Sequence, residues 1–374
     1  MPFKVLLVFG TRPEAIKMSP LAKKLTQNPL FDVRVCVTGQ HREMLDQVLA
    51  LFNIRPDYDL NLMKSQQTLE WLTAAIIEGT SKVIDDFSPQ LVLVHGDTTT
   101  SFAAALAAFY KKVDIGHVEA GLRTGDLMSP WPEEANRRLT ATLATHHFAP
   151  TQTAANNLLA EGYSEGTIHI TGNTVIDALL QTVTANRASS KKPTKLTQLL
   201  TQVEHRKVIL ITGHRRENFG QGFENICLAL QKIAQTHPDV ALIYPVHLNP
   251  QVQAPVNQFL DGIKSIHLIP PQDYPSFVEL MDRADIILTD SGGVQEEAPA
   301  LNKPVLVLRD KTERCEALTA GTISLVGTNT ETIFNAVTTL LEQPQSFKNV
   351  SNPYGDGQAS ELIQAQILQY YGLH

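Results

Sequence analysis

Residues 4–20 read KVLLVFGTRPEAIKMSP, an apolar run broken by a glycine and followed by a proline-led segment with charged residues spaced along it. Lys4 to Phe9 is too short for a helix and nearly uncharged, which suits a strand covered on both faces. Gly10 permits a tight exit, and Pro13 suits the first helical position, with Arg12 just outside the helix and Lys17 a turn along it. The same alternation recurs. Val33 to Thr38, Leu91 to Val94, Asp114 to Val118 and Ile168 to Thr171 read as further strands, each running into a loop and a helix. The stretch RASSKKPTKLTQ, residues 187–198, interrupts the pattern as a linker. Strands then resume at Lys207 to Thr212, Ala241 to Val246, Ile286 to Thr289 and Pro304 to Leu308. The expected fold is α/β: two Rossmann-like doubly wound parallel sheets, residues 1–187 and 199–357, with ligands bound at the carboxyl ends of the strands around a central cleft.

Composition narrows the class. A chain of 374 residues, 43% hydrophobic, can bury two cores. A net charge of −7 and the lack of any basic run argue against nucleic acid or an anionic membrane as partner. Cys36, Cys227 and Cys315 are far apart, so neither a zinc site nor a disulfide framework is expected. The five apolar residues Val5 to Phe9 are too short for a signal peptide, and no run is long enough to span a bilayer. A cytoplasmic enzyme is expected, and the Asn349-Val350-Ser351 sequon is read as coincidental.

Chemistry concentrates between residues 116 and 137, where GHVEAGLRTGD runs into SPWPEEANR. Glu119, Arg123, Asp126, Glu133, Glu134 and Arg137 crowd around turn formers. That grouping suits proton transfer beside a bound anion, against the plainer reading of a salt-bridged loop. In TDSGGVQEEAPA, residues 289–300, Ser291 is placed to cap a helix, while Gly292 and Gly293 let backbone N–H groups approach a diphosphate. Glu297 suits ribose hydroxyls, and Glu296 reads as a first-turn acid compensating the helix dipole. Arg12 and Lys17 offer charges to a phosphate. Asp97 stands at a strand end either as site residue or as a cap for the helix Thr98 to Tyr110. His214, followed by Arg215 and Arg216, suits charge developing on a departing diphosphate. No complete GxGxxG, Walker loop or HExxH occurs, and Asp57-Tyr58-Asp59 is a weak imitation of a metal-binding DxD, so no redox cofactor and no metal is expected.

The segments GTRPEAIKMSPL, QHREMLDQVL, VHGDTTT, GHVEAGLRTGD, WPEEANR, TGHRREN, YPVHLNP, LTDSGGVQEEAP, RDKTER and NPYGDGQA together resemble the bacterial non-hydrolysing UDP-N-acetylglucosamine 2-epimerases, across almost the whole chain. The resemblance implies the GT-B arrangement, a homodimer, and a C-terminal helix (358–374) that returns to the first domain. It implies that Arg12, His214, Gln272, Phe277, Ser291, Gly292, Gly293, Glu297 and Arg314 hold UDP, while Lys17, Asp97, Glu119, Glu133 and Arg137 surround the sugar. From the residues alone, Phe277 reads as plain core. Some relatives are activated by their own substrate, and Gln40, Arg215 and His247 match the positions implicated there.

The implied reaction interconverts UDP-N-acetylglucosamine and UDP-N-acetylmannosamine for cell-envelope polysaccharide. The C2 hydrogen has no adjacent carbonyl to acidify it, so UDP must leave first, giving 2-acetamidoglucal, and then add back after protonation on the opposite face. Asp97, Glu119 and Glu133 are the acids available, and a carboxylate desolvated in the cleft is expected to have a raised pKa. A GT-B glycosyltransferase, a hydrolysing epimerase and an inactive nucleotide-sugar sensor are the alternatives.

Overall fold

The structure, a computed structural model, describes residues 1–39, 42–63, 67–188, 194–343 and 350–374, with the side chains of 42–44 left aside. Gln40, Asn349 of the sequon and the centre of the expected linker lie outside the described residues. The chain forms two compact units, one of Met1–Ala178 with Tyr354–His374 and the other of Leu179–Pro353.

The first unit holds a parallel sheet of seven strands in the order β3-β2-β1-β4-β5-β6-β7. These are β1 (Phe3–Phe9), β2 (Phe31–Val37), β3 (Tyr58–Asp59), β4 (Leu91–His95), β5 (Asp114–Val118), β6 (His146–Ala149) and β7 (Ile168–Ile170). The second has six parallel strands in the order β10-β9-β8-β11-β12-β13. They are β8 (Lys207–Thr212), β9 (Val240–Pro245), β10 (Ile266–Ile269), β11 (Ile286–Thr289), β12 (Val305–Val307) and β13 (Ile323–Leu325). Val5 to Phe9, Leu91 to Val94 and Ile209 to Ile211 are buried, as strands sandwiched between helices must be.

Strands β3, β6, β10 and β13 were not among the expected ones. Each has two to four residues, and the polar side chains in Tyr58–Asp59, His146–Ala149, Ile266–Ile269 and Ile323–Leu325 hide any apolar run. Three of them, β3, β10 and β13, are edge strands, where one side is unpaired and continuous burial is not required.

Both strand orders reverse at one place, between β1 and β4 in the first unit and between β8 and β11 in the second. Segments leaving the two strands at such a point turn to opposite faces and open a crevice, where this architecture binds ligands. In the first unit Glu14, buried at 2% exposure, bridges the opening. It accepts from Gly10 N (3.0 Å) and Thr11 N (2.8 Å) after β1, and from Thr98 Oγ1 (2.6 Å) and Ser101 Oγ (3.0 Å) after β4. In the second unit the hydroxyls of Thr212 and Thr289 meet at 2.6 Å.

The helix Ala359–Tyr370 lies in the first unit. Asp177 accepts from its first amides, Ala359 N at 3.2 Å and Ser360 N at 2.8 Å, and the Tyr370 ring meets His146 edge-on at 4.2 Å. No described helix is long and apolar enough to cross a membrane.

Candidate active site

In the first unit the candidate side chains stand on segments that leave the carboxyl ends of β1, β4, β5 and β7. The helix Arg12–Thr26 starts at Arg12, capped by Thr11, with Pro13 in its first turn. The helix thus begins one place earlier than expected, with Arg12 inside it, and the Arg12 guanidinium has no hydrogen-bond partner among the described residues. One turn on, Lys17 donates to Glu119 Oε2. Asn173 Nδ2 donates to the same oxygen at 2.8 Å, and His95 Nε2 lies 3.6 Å from it.

Glu119 has φ +61°, in the left-handed region that a non-glycine residue seldom occupies. The turn is forced from both sides: Gly96 N donates to Val118 O at 2.8 Å, and Ala120 N to Phe148 O at 3.0 Å. Gly121, at φ +90°, closes it against the Ala154 carbonyl, only 2.2 Å from where a Cβ would sit. Burial alone would raise the Glu119 pKa. The nearby Lys17 ammonium and His95 outweigh it and hold the carboxyl well below the usual range, the opposite of the shift expected from desolvation.

A second cluster forms on the helix Glu133–Leu143. Asp97 does not cap the helix after β4, because Thr98 does. Asp97 Oδ2 instead accepts from Arg137 Nη2 at 2.7 Å and Nε at 3.0 Å. Arg137 Nη1 also donates to Glu134 at 3.1 Å, and Glu134, with no exposed surface, takes the Thr124 and Gly125 amides as well. Burial pushes the Glu134 pKa up, yet these donors and Arg138 bring it below the ordinary value. Neighbouring Glu133 has a buried Oε2 with no hydrogen-bond partner among the described residues. His117 Nε2 meets Gly96 O at 2.7 Å, and burial drives its pKa down to about 3. The ring is thus neutral and donates to that carbonyl, fixing the turn that carries Asp97.

The crowd at 116–137 accordingly splits. Glu119 belongs to one cluster and Glu134 with Arg137 to another. Arg123 forks onto Glu161 at 2.7 and 2.8 Å, and Asp126 accepts from Met128 N at 2.9 Å in a turn. Those last two are scaffold.

In the second unit, Asp290 at the end of β11 is fully buried and organises the loop after β8. It accepts from His214 N and Arg215 N, both at 2.8 Å, and lies 3.4 Å from His214 Nδ1. His214 stacks on His247 at 5.6 Å between ring centroids, 21° from parallel. Partial burial lowers the His214 pKa while Asp290 opposes the drop, so before a ligand arrives the ring is mostly neutral at pH 7 rather than a standing cation. Arg215 Nε has no partner among the described residues.

Ser291 occupies the cap position of the helix Gly292–Glu297 without a side-chain capping bond, leaving the amides of its first turn open. The Arg314 guanidinium lies over Gly292, where an added Cβ would stand 3.3 Å from Cζ. Glu296, expected to act on the helix dipole, instead accepts from Arg314 Nε at 2.8 Å and aims that guanidinium. Glu297 Oε1 accepts from the buried Tyr274 hydroxyl at 3.0 Å. Gln272 Nε2 donates to Pro270 O at 2.6 Å. Phe277, on the helix Tyr274–Arg283, is half-buried and outside the unit's main core, unlike the plain core residue its sequence suggests.

The family model described as UDP-N-acetylglucosamine 2-epimerase matches residues 23–368. The UDP-N-acetylglucosamine 2-epimerase of Escherichia coli (strain K12) is 57% identical over 364 residues, covering 96% of this chain and 97% of that protein. The chain belongs to the UDP-N-acetylglucosamine 2-epimerase family. Among solved structures, the UDP-GlcNAc 2-epimerase from Neisseria meningitidis bound to UDP-GlcNAc is 51% identical with a TM-score of 0.85, covering 98% of this chain and 100% of that one. A putative UDP-N-acetylglucosamine 2-epimerase from Listeria monocytogenes is 45% identical with a TM-score of 0.93, covering 100% and 98%.

Several residues that shape this epimerase-family site escaped the sequence reading: Asn173, Asp290 as an organiser, and Tyr274. For Asn173 a signal existed. It follows the predicted strand Ile168 to Thr171 after a glycine, the same strand-end position that singles out Asp97 and Glu119. His95 belongs to the polar cluster His95-Gly96-Asp97 that follows the predicted strand Leu91 to Val94, and the structure makes it the final residue of β4.

Proposed function

We propose that the chain interconverts UDP-N-acetylglucosamine and UDP-N-acetylmannosamine by eliminating UDP and adding it back after C2 has changed hands. The observation that carries this reading is Glu119, a buried carboxylate kept ionised by Lys17 and set on a left-handed backbone at a strand end. A carboxylate of such low pKa is a weak base, and a weak base suffices only if the leaving group goes first. As UDP departs, positive charge grows at C1 and acidifies the C2 hydrogen, so Glu119 can take it. Glu133 or Asp97, on the other cluster, having first taken up a proton from solvent, then supplies it to the opposite face, and Glu119 returns its own proton to solvent before the next turnover.

The nucleotide belongs to the second unit in this reading, and Arg12 is a further cation suited to its diphosphate. The Ser291 hydroxyl, the amides of Gly292 and Gly293 and the Arg314 guanidinium suit the diphosphate, Glu297 the ribose, and Gln272 with Phe277 the base. Diphosphate beside His214 would raise the imidazole pKa and recruit a proton where negative charge develops. Lys17 and Arg137 complete the sugar side. The relative from Neisseria meningitidis, described as bound to UDP-GlcNAc, supports the substrate. We further propose a homodimer acting in the cytoplasm, with the substrate as its own activator through Arg215, His247 and Gln40.

The test is incubation with UDP-N-acetylglucosamine alone in heavy water, followed by NMR. Deuterium at C2 of an intact UDP-sugar is the expected result. Free N-acetylmannosamine would indicate a hydrolysing enzyme, and an unchanged substrate would leave transfer or sensing. A plain hyperbola in substrate, with no lag from UDP-N-acetylmannosamine, would remove the activation; light scattering at 41.2 kDa would remove the dimer.

A further inference from the structure

Glu119 is gripped by one oxygen. Lys17 Nζ and Asn173 Nδ2 both donate to Oε2, and His95 Nε2 stands nearest the same atom. Oε1 accepts no hydrogen bond among the described residues. The three neighbours reach Glu119 from the helix Arg12–Thr26, from the end of β4 and from the turn after β7. Lys17 and His95 are titratable, and Asn173 is not.

Asn173 is unusually well fixed for a turn residue. It is 3% exposed, its N–H donates to Tyr354 O at 2.8 Å, and its Oδ1 accepts from Val175 N at 3.0 Å. With the carbonyl end of the amide committed to Val175, the Nδ2 end is turned toward Glu119. The two fixed contacts hold the amide plane, so the contact to Oε2 locks the carboxylate rotation as well. A lysine ammonium on a flexible stem can swap Glu119 for an incoming hydroxyl or phosphate. A buried amide pinned at three atoms cannot.

We propose that Asn173 is a positioning residue for the epimerisation: it anchors Glu119 through Oε2 and leaves Oε1 as the oxygen that exchanges the C2 proton. The proposal rests on the function proposed above. Without this grip the carboxylate would rotate about its Cγ–Cδ bond, on a backbone already strained, and would lose its aim whenever Lys17 changes partner.

Asn173→Asp retains the oxygen that accepts from Val175 N, removes the donor to Glu119 and sets a like charge beside it, so it gives the upper bound of the effect. Asn173→Ser is the second variant; its hydroxyl also accepts from a backbone amide two residues on but is too short to reach Glu119. Both are assayed in the full-length protein by deuterium incorporation and by steady-state rates across pH. Losing one hydrogen bond to a charged group should lower kcat by roughly ten- to a hundred-fold. KM should stay within about threefold, and the acid limb of kcat/KM should move to higher pH, because Glu119 loses a donor that favours its ionised form. In the Glu119→Gln background the same substitutions should add nothing further.

Wild-type kcat and acid limb in either folded variant would overturn the proposal. So would a lowered kcat with an unmoved limb, or full additivity with Glu119→Gln, since a purely structural role gives those. A wild-type protein that leaves UDP-N-acetylglucosamine unchanged would instead overturn the underlying function.

Discussion

Glu134 is the residue whose removal most directly tests how this site is held. Its carboxylate, with no exposed surface, receives Thr124 N at 3.1 Å, Gly125 N at 3.4 Å, Arg137 Nη1 at 3.1 Å and Arg138 Nε at 3.3 Å. Glu134→Ala strands these four donors. Breaking a buried ion pair by deleting one partner costs about 3–5 kcal/mol. The lower end applies here, because the Arg138 side chain is 42% exposed and its pair is worth at most about 0.5 kcal/mol, while Arg137 keeps Asp97. About 3 kcal/mol in a unit of this size lowers its unfolding midpoint by roughly 6–12 °C. Calorimetry on the full chain reads this directly, with the second unit as internal reference if the two units unfold separately. Glu134→Gln, which keeps one acceptor oxygen, should fall between, and it should still reduce turnover because Arg137 loses one of its two anchors. A midpoint for Glu134→Ala within about 2 °C of wild type would refute the assignment of Glu134 as the anchor of the loop and of Arg137.

Asp97→Asn, Glu119→Gln, Glu133→Gln and His214→Ala should each reduce turnover by roughly two or more orders of magnitude, and near-normal rates in all four would remove the proposed site. Lys17→Met should shift the acid limb of kcat/KM upward in pH, because Glu119 loses the ammonium that favours its ionised form; rates measured from pH 4 to 8 decide it. Burial holds His117 at about 3 and His146 at about 4, against an ordinary 6.5. Both are neutral in the fold, so they make the unfolded chain the better proton acceptor below about pH 6.5. Stability present above that value should fall on acidification by about 1.4 kcal/mol per pH unit for each, readable as a urea midpoint that drops between about pH 6.5 and pH 5. Gly121→Ala should fail to accumulate as folded protein, since its Cβ would lie 2.2 Å from the Ala154 carbonyl at φ +90°; a folded, active variant would contradict the tight turn that follows Glu119.

The central strands were legible because a strand covered on both faces must be apolar along its length, as Val5 to Phe9 and Leu91 to Val94 are. The strand-end rule located Asp97, Glu119, His214 and Ser291 for the same reason: the polar residues there are exempt from the core. Short strands such as Ile266–Ile269 and Ile323–Leu325 carry too few residues to show a period.

Sequence by itself determined two parallel α/β units and the acids and cations that crowd the strand ends, because those follow from local pattern and chain punctuation. Which of those groups meet was decided only by the tertiary structure. Lys17 and Asn173 reach Glu119 from 102 and 54 positions away, and Lys17 with His95 reverses the pKa shift that burial alone would give. Glu133 and Glu134 are chain neighbours, but successive residues on a helix point about 100° apart. That rotation buries one carboxylate among four donors and leaves an oxygen of the other without a partner among the described residues.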